Sequence, residues 1–335
     1  MSKILVTGSA GFIGMHTAIR LAKEGFDVVG LDNLNTYYSV ELKMARLRQQ
    51  GLDTAQVMYN KEMTGTKGIG FIQLDLTDSE HIEALFEKHQ FDYVIHLAAQ
   101  AGVRYSIENP HAYIDSNVKG FLNILEASQR NKIKHLIYAS SSSVYGMNDK
   151  VPFEEADTTE TQMSLYAATK KANEAIAHSY AAVHKLPLTG LRFFTVYGPW
   201  GRPDMALFKF TKNILADKPI DVYNEGNLSR DFTYVDDIVE GIVQLVPKKP
   251  ATALPYAIYN IGNGNPVKLM DFIACLEKEL GRKAILNMMP MQPGDVEKTW
   301  ASTEALKEAV GYKSNTHLAE GVKQFVKWYK RYYQE

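Results

Sequence analysis

Along the first half of the chain, short apolar runs alternate with longer stretches whose apolar residues return with a helical period. The short runs predict strands at Lys3–Thr7, Asp27–Leu31, Gly70–Leu74, Tyr93–Leu97, His135–Ser140 and Pro187–Phe193. The periodic stretches predict helices at Phe12–Glu24, Ser79–Lys88, Ala112–Gln129 and Ser164–His184. The strand runs are nearly all apolar, as they must be when both faces of a sheet are covered. Strand–helix alternation of this kind predicts an α/β fold built on a Rossmann-like, doubly wound parallel sheet.

The rhythm breaks after Phe194. Residues Tyr197–Pro203, rich in Gly, Pro, Arg and Trp, predict a loop. Helices follow at Met205–Ala216, Val235–Leu245, Leu269–Leu280, Thr303–Ala309 and Leu318–Tyr333, with strands near Ile220–Tyr223, Arg230–Tyr234 and Ile258–Ile261. This mixture predicts a smaller, discontinuous C-terminal α/β lobe. The expected division is 1–195, with 230–262 returning to it, against 196–229 with 263–335. Gly51–Lys67 is a polar insertion without a clear period. A chain of 335 residues suits two lobes of roughly 100–200 residues each.

Charge narrows the function classes. The 37 Lys and Arg balance the 38 Asp and Glu, a formal net charge of −1. That excludes nucleic-acid binding through a bulk basic surface. There is no run of 18 apolar residues, so no membrane span is expected. No signal peptide is expected either, because only Ile4 to Thr7 separate Lys3 from a glycine turn. The single cysteine, Cys275, fits a reducing compartment, so a cytoplasmic protein is expected. The histidines show no metal spacing, and no metal site is expected.

The first strand runs into TGSAGFIG, with Gly8, Gly11 and Gly14 at the mouth of a helix. Glycines there let a pyrophosphate approach the backbone, and the helix start offers free N–H groups and partial positive charge. The spacing is G-x-x-G-x-x-G rather than G-x-G-x-x-G. Asp32, 18 residues past Gly14, sits close to where a ribose-binding carboxylate belongs. A carboxylate there repels a 2′-phosphate, which selects NAD over NADP. Asp75, followed by Leu76, is a candidate adenine contact or a helix-start acid.

Tyr166 and Lys170, in SLYAATKKANEA, share one helix face at a spacing of four. An ammonium beside a phenol favours the phenolate, which makes Tyr166 a candidate base for a sugar hydroxyl. The strand before that helix ends in ASSSSVYG, Ala139–Gly146. Serines at the carboxyl end of a parallel strand lie where open α/β sheets bind ligands. One hydroxyl could donate to an oxygen whose charge changes during hydride transfer.

The whole set resembles the extended short-chain dehydrogenase/reductase family: TGSAGFIG, Asp32, HLAAQ at His96–Gln100, Asn117, SSSVYG, Tyr166–Lys170, RFFTVYGP at Arg192–Pro199, and RDFTYVDD at Arg230–Asp237. The resemblance runs essentially end to end and implies a nucleotide-sugar enzyme with tightly held NAD. By position it implies Tyr166 as base, Lys170 as its partner and Ser141 as the third catalytic hydroxyl. It implies cofactor contacts from Gly8, Gly11, Phe12, Ile13, Gly14, Asp32, Asn33, Asp75, Leu76, Ala98, Gln100, Asn117, Tyr166, Lys170 and Phe194. Relatives that dehydrate or decarboxylate carry an acid in or just after the serine run; Ser141, Ser142 and Ser143 offer none. Plain 4-epimerisation is the implied chemistry.

The segment Arg192–Phe210 is similar to that of bacterial UDP-glucuronate 4-epimerases. A C6 carboxylate needs a cation or a cluster of donors. Arg202 is the first candidate, with a loop-stabilising ion pair to Asp204 as its alternative role. Arg104 is the second, and Ser142, Ser143 and Thr195 add hydroxyls. Arg230 is implied at the diphosphate, or else paired with Asp231, and Asp295 at the uridine ribose. Many relatives have an arginine where this chain has Gln292, which leaves the phosphate clamp one charge weaker. Asp236 and Asp237 are expected to cap the following helix. The competing function is 4-epimerisation of neutral UDP-hexoses or UDP-N-acetylhexosamines. Two long helices, Ala112–Gln129 and Ser164–His184, suit a homodimer.

Overall fold

The computed structural model describes residues 1–291 and 297–334. Its strands are β1 (Lys3–Thr7), β2 (Asp27–Asp32), β3 (Glu62–Thr64), β4 (Gly70–Gln73), β5 (Tyr93–His96), β6 (His135–Ser141), β7 (Leu188–Phe193), β8 (Thr195–Tyr197), β9 (Pro219–Tyr223), β10 (Ser229–Tyr234), β11 (Tyr256–Ile261), β12 (Pro266–Lys268), β13 (Ile285–Met289) and β14 (Lys298–Thr299). Its helices are α1 (Phe12–Lys23), α2 (Val40–Gln49), α3 (Ser79–His89), α4 (Tyr105–Glu108), α5 (Pro110–Tyr113), α6 (Gly120–Arg130), α7 (Leu165–His184), α8 (Ala206–Leu215), α9 (Val235–Leu245), α10 (Leu269–Leu280), α11 (Glu304–Val310) and α12 (Leu318–Tyr333).

An eight-stranded sheet runs in the order β11-β7-β6-β5-β1-β2-β4-β3. The pairs β1–β2, β1–β5, β2–β4 and β5–β6 are parallel, and β3 returns antiparallel to β4. The fold is thus the expected Rossmann-like, parallel-dominated α/β sheet. Its apolar strands are buried on both faces: Leu5, Val94, Leu136 and Leu188 pack with Ile82, Phe86, Phe121, Ile124, Ala177 and Ala181 from α3, α6 and α7. The strand order reverses between β5 and β1, which makes the carboxyl ends of those strands the switch point where such sheets bind ligands.

The chain divides into two units, 1–146 with 158–192 and 239–259, and 147–157 with 193–238 and 260–335. The expected return at 230–262 is therefore displaced. Strand β10 pairs with β8, β12 and β14 of the second unit's own sheet, so it belongs there. Segment 147–157 joins that unit through Phe153, whose N–H donates to Trp300 O and whose carbonyl accepts from Ser302 N. The second unit also holds the parallel pair β9–β13.

Three local departures matter for the site. Helix α2 was not anticipated at all. The single helix expected over Ala112–Gln129 is α5, a π-helical turn at Ile114–Lys119, then α6. The insertion Gly51–Lys67 contains the short edge strand β3. Among the described residues no helix is long and apolar enough to cross a membrane.

Candidate functional site

In the first unit, Gly8 and Ala98 follow β1 and β5 at the switch point. A Cβ on Gly8, at φ +73°, would lie 2.9 Å from Ala98 N, and one on Gly14 would lie 2.0 Å from Gly8 O. Only glycine allows this closure. Gly8 N donates to Leu31 O at 2.7 Å, and Gly11 N to Gly8 O at 2.8 Å. Gly11 is the N-cap of α1 and brings no side-chain cap, so the helix start at Phe12–Ile13 presents its N–H groups outward. Thr7 locks the neighbouring loop: its Oγ1 is 2.9 Å from His96 Nδ1 and accepts from Ala98 N at 3.1 Å. Burial, with the Lys170 charge, holds the His96 pKa at about 3, so the ring is neutral.

The acids predicted for the nucleoside lie at the ends of β2 and β4. Asp32 Oδ1 accepts from Leu34 N at 2.8 Å. Asp75 accepts from Asn33 Nδ2 at 2.8 Å and from Thr77 N and Oγ1 at 2.8 and 2.7 Å. Burial alone would raise the Asp75 pKa; these hydrogen bonds outweigh it and hold the carboxyl below its ordinary value. The helix-cap alternative for Asp75 is not what forms, because Asp78 caps α3 by accepting from His81 N. Leu76 is buried against Gly120.

Asn117 sits in the π-helical turn and is buried. Its Oδ1 accepts from Gln100 N at 2.7 Å, while Nδ2 donates to Gln100 O and Thr169 Oγ1, both at 3.0 Å. One amide thereby fixes the loop after β5 to α7. A π turn inside a helix is a frequent mark of a functional site.

Lys170 is buried on α7, with Nζ donating to Ala139 O at 2.8 Å. Burial lowers its pKa to about 8. Tyr166 lies one turn before it, half-buried, with its ring edge-on to Tyr113 at 6.2 Å. Ser141 ends β6 and accepts from Ser143 N at 3.2 Å and Ser143 Oγ at 2.9 Å. With two donors already on its oxygen, the Ser141 hydroxyl is left to give its own proton elsewhere.

Sequence reasoning missed the network that adjoins these residues. Glu174, buried and one turn beyond Lys170, accepts from Ser140 Oγ at 2.7 Å and from Arg192 Nε and Nη2, both at 2.9 Å. Arg192 Nη1 donates to Tyr145 Oη at 3.0 Å. One carboxylate therefore joins β6, β7, α7 and the serine turn. The four-residue spacing from Lys170 to Glu174 was the available signal. Also missed were Arg46 on α2 and Gln50 just after it, whose side chains donate to the Ala10 and Ser9 carbonyls at 3.1 and 2.9 Å and so hold the glycine turn from behind.

The remaining candidates divide between the units. Arg104 is exposed at the start of α4 in the first unit. In the second unit, Phe194 is buried, with its N–H donating to Ile261 O, and Thr195 opens β8. Arg202 forms the ion pair with Asp204 that was its alternative role, with Nε donating to Oδ1 at 3.0 Å and Nη2 to Oδ2. Arg230 Nη1 donates to the carbonyls of Ser229 and Glu297, both at 3.0 Å. Asp231, one residue on and so directed to the other face of β10, collects N–H groups from Asn263, Gly264 and Ala301. Burial raises its pKa against those bonds. Asp237 was expected to cap α9. Its carboxylate holds Ser314 Oγ, Asn315 N and Thr316 N ahead of α12. Asp295 and Gln292 lie outside the described residues.

A family model described as the NAD dependent epimerase/dehydratase family matches residues 4–262. The chain belongs to that family. It is 47% identical to a probable UDP-glucuronate 4-epimerase of Rhizobium meliloti strain 1021, over 99% of this chain and 98% of that one. Among solved structures it resembles the UDP-glucuronic acid 4-epimerase of Bacillus cereus in complex with UDP-glucuronic acid and NAD, with a TM-score of 0.88 and 32% identity over 99% of this chain and 100% of the other. A UDP-glucose 4-epimerase from Thermotoga maritima with UDP-glucose is similar at TM-score 0.86 and 29% identity, over 99% of each chain.

Proposed function

We propose that this protein is an NAD-dependent UDP-glucuronate 4-epimerase that interconverts UDP-glucuronate and UDP-galacturonate through a 4-keto sugar. The observation that carries the chemistry is the buried Lys170 ammonium one turn below Tyr166 on α7. The glycine turn, the uncapped start of α1 and the Asp32–Asn33–Asp75 cluster fit the pyrophosphate and adenosine of NAD. When bound, NAD supplies a hydride acceptor that gives the same hydride back.

Lys170 favours the Tyr166 phenolate, which takes the C4 hydroxyl proton as the C4–H bond breaks and a ketone forms. Ser141 donates to the C4 oxygen. After the sugar turns its other face, Tyr166 returns the proton. No residue of the serine turn can eliminate a neighbouring hydroxyl, so the reaction stops at inversion. Arg202, oriented by Asp204, is the cation assigned to the C6 carboxylate, with Thr195, Ser142 and Ser143 as hydroxyl donors and Arg104 as the weaker candidate. Arg230 is assigned to the diphosphate and Asp295 to the uridine ribose. Phe194 is assigned to the nicotinamide.

Proton NMR of the purified protein with UDP-glucuronate and no added cofactor tests this reading. Appearance of UDP-galacturonate, lost in Tyr166→Phe, supports it; unchanged substrate overturns it. The second reading, a neutral-sugar epimerase, is favoured by the likeness to the Thermotoga enzyme and by the engagement of Arg202 with Asp204. Equal turnover of UDP-glucose would establish it. Loss of UDP-glucuronate turnover in Arg202→Gln, with UDP-glucose inert in wild type, excludes it. We also read the protein as a cytoplasmic homodimer. The exposed Ile107, Val183 and Leu122 support the dimer, and the single cysteine, Cys275, suits a reducing compartment.

A further inference from the structure

A 4-epimerase of the kind proposed above makes a demand beyond catalysis itself: the cofactor must stay through both half-reactions. The first unit contains a cavity of about 430 Å³ whose lining includes Asn33, Asp75, Thr77 and Gln100 together with Tyr37 and Tyr105. We infer that Tyr37 and Tyr105 form a clasp over the adenosine half of NAD, and that this clasp keeps the cofactor resident.

The loop that carries Tyr37 is built in advance. Asp32 Oδ1 accepts from Leu34 N at 2.8 Å, Asn33 Oδ1 from Asn35 N at 3.1 Å, and Asn35 Oδ1 from Tyr37 N at 3.3 Å. Each side chain closes the backbone two residues ahead, so the loop needs no cofactor to define its path. Lys43 adds a second donor to Asn35 Oδ1 at 2.8 Å and lies over the Tyr38 ring at 4.9 Å. Arg46 donates to Tyr38 Oη at 2.6 Å and also holds the glycine turn through Ala10 O. The clasp loop and the phosphate turn are thus braced by one helix.

The clasp closes on the segment after β5. The rings of Tyr37 and Tyr105 lie 4.7 Å apart at 41°. Gly102, at φ +104°, makes room, since a Cβ there would fall 2.4 Å from Tyr37 Oη. Tyr105 packs in turn on Tyr113, and Tyr113 on Tyr166, at 6.3 and 6.2 Å. An unbroken series of rings runs from the clasp to the proposed base. This placement makes Tyr37 and Tyr105 positioning residues for the cofactor rather than parts of the reaction.

The inference rests on NAD occupying the site, and the test separates the two. Purified wild type, Tyr37→Ala and Tyr105→Ala are passed through gel filtration and their NAD content is measured after denaturation. They are then mixed with excess deuterated NAD, and exchange is followed by mass spectrometry. Wild type retains NAD, and each variant exchanges it several-fold to about tenfold faster, the size expected when an aromatic pair is lost. The double variant goes little further, because either ring alone cannot close. If alanine prevents folding, Tyr37→Leu and Tyr105→Leu replace it, with the same expectation. Variants that exchange NAD at the wild-type rate overturn the clasp, as do variants whose only change is a lower melting temperature. Wild type that carries no NAD and leaves UDP-glucuronate unchanged overturns the functional reading instead.

Discussion

Burial moves the Lys170 pKa from the ordinary lysine value of 10.5 to about 8. The sign of the consequences follows. Below pH 8 the folded protein holds a charged ammonium out of water, and the unfolded chain holds the same charge solvated. The full penalty therefore applies below pH 8, fades as the pH rises, and is gone above the unfolded value. The shift corresponds to roughly 3 kcal/mol. Lys170→Met removes that penalty but leaves Ala139 O without its donor, which costs about 1 kcal/mol. Lys170→Met is thus expected to melt a few degrees higher than wild type at pH 7, with the advantage shrinking at pH 10. Thermal melts at the two pH values check this. On the proposed mechanism catalysis has the opposite dependence, because there the phenolate of Tyr166 relies on the ammonium. The rate of epimerisation should fall as the pH rises through about 8, and a flat rate–pH profile to pH 10 would remove Lys170 from the chemistry. Neither effect can be read from the spacing of Tyr166 and Lys170; both need the burial of the amine.

Among the elements, most strands and helices of the first unit were legible because their inward faces are apolar. Helix α2 was not, and its buried residues say why: two of them are Lys43 and Arg46, 4% and 0% exposed. A helix that turns cations inward shows no apolar stripe. Its purpose, holding the glycine turn and the loop before it, is what hid it. The short strands β3, β8, β12 and β14 are too brief to show a period. The π turn within the stretch expected as one helix was equally invisible, because it is set by Asn117 reaching Gln100 and Thr169 across the fold. The glycine turn, the serine run and the Tyr–Lys spacing could be read, being local. The Glu174–Arg192 pair could not, since it joins helix α7 to strand β7 across the fold. Asn117→Leu would strip the partners from Gln100 N and Gln100 O, both buried. At about 1–3 kcal/mol for each unsatisfied group, the expected loss is roughly 3 kcal/mol, or about 5–10 °C in melting temperature. A melt within 2 °C of wild type, roughly the shift of less than 1 kcal/mol, would show that the π turn does not depend on this amide.

At the scale of the whole molecule, the chain passes between its two units at 146–147, 157–158, 192–193, 238–239 and 259–260. Neither unit is a contiguous stretch, so neither can be cut out, and residues assigned to cofactor and to sugar are interleaved along the sequence. The same topology places α6 and α7 side by side in the first unit, with apolar side chains left in solvent: Leu122 is 40% exposed on α6 and Val183 73% on α7, with Ile107 at 80% on α4. On the dimer reading proposed above, these side chains belong to the contact surface. The near-zero net charge of −1 leaves little net long-range repulsion between copies. A second copy of the chain is the partner this surface suits, helices meeting helices across a two-fold axis. Sedimentation velocity at micromolar concentration should then give a dimer for wild type. Leu122→Glu puts a charge into the contact and should give a monomer that still carries NAD, because residue 122 contributes nothing to the glycine turn or the nucleoside acids. Wild type sedimenting as a monomer would end the dimer reading without touching the chemistry, whereas a dimer that survives Leu122→Glu would move the interface off α6.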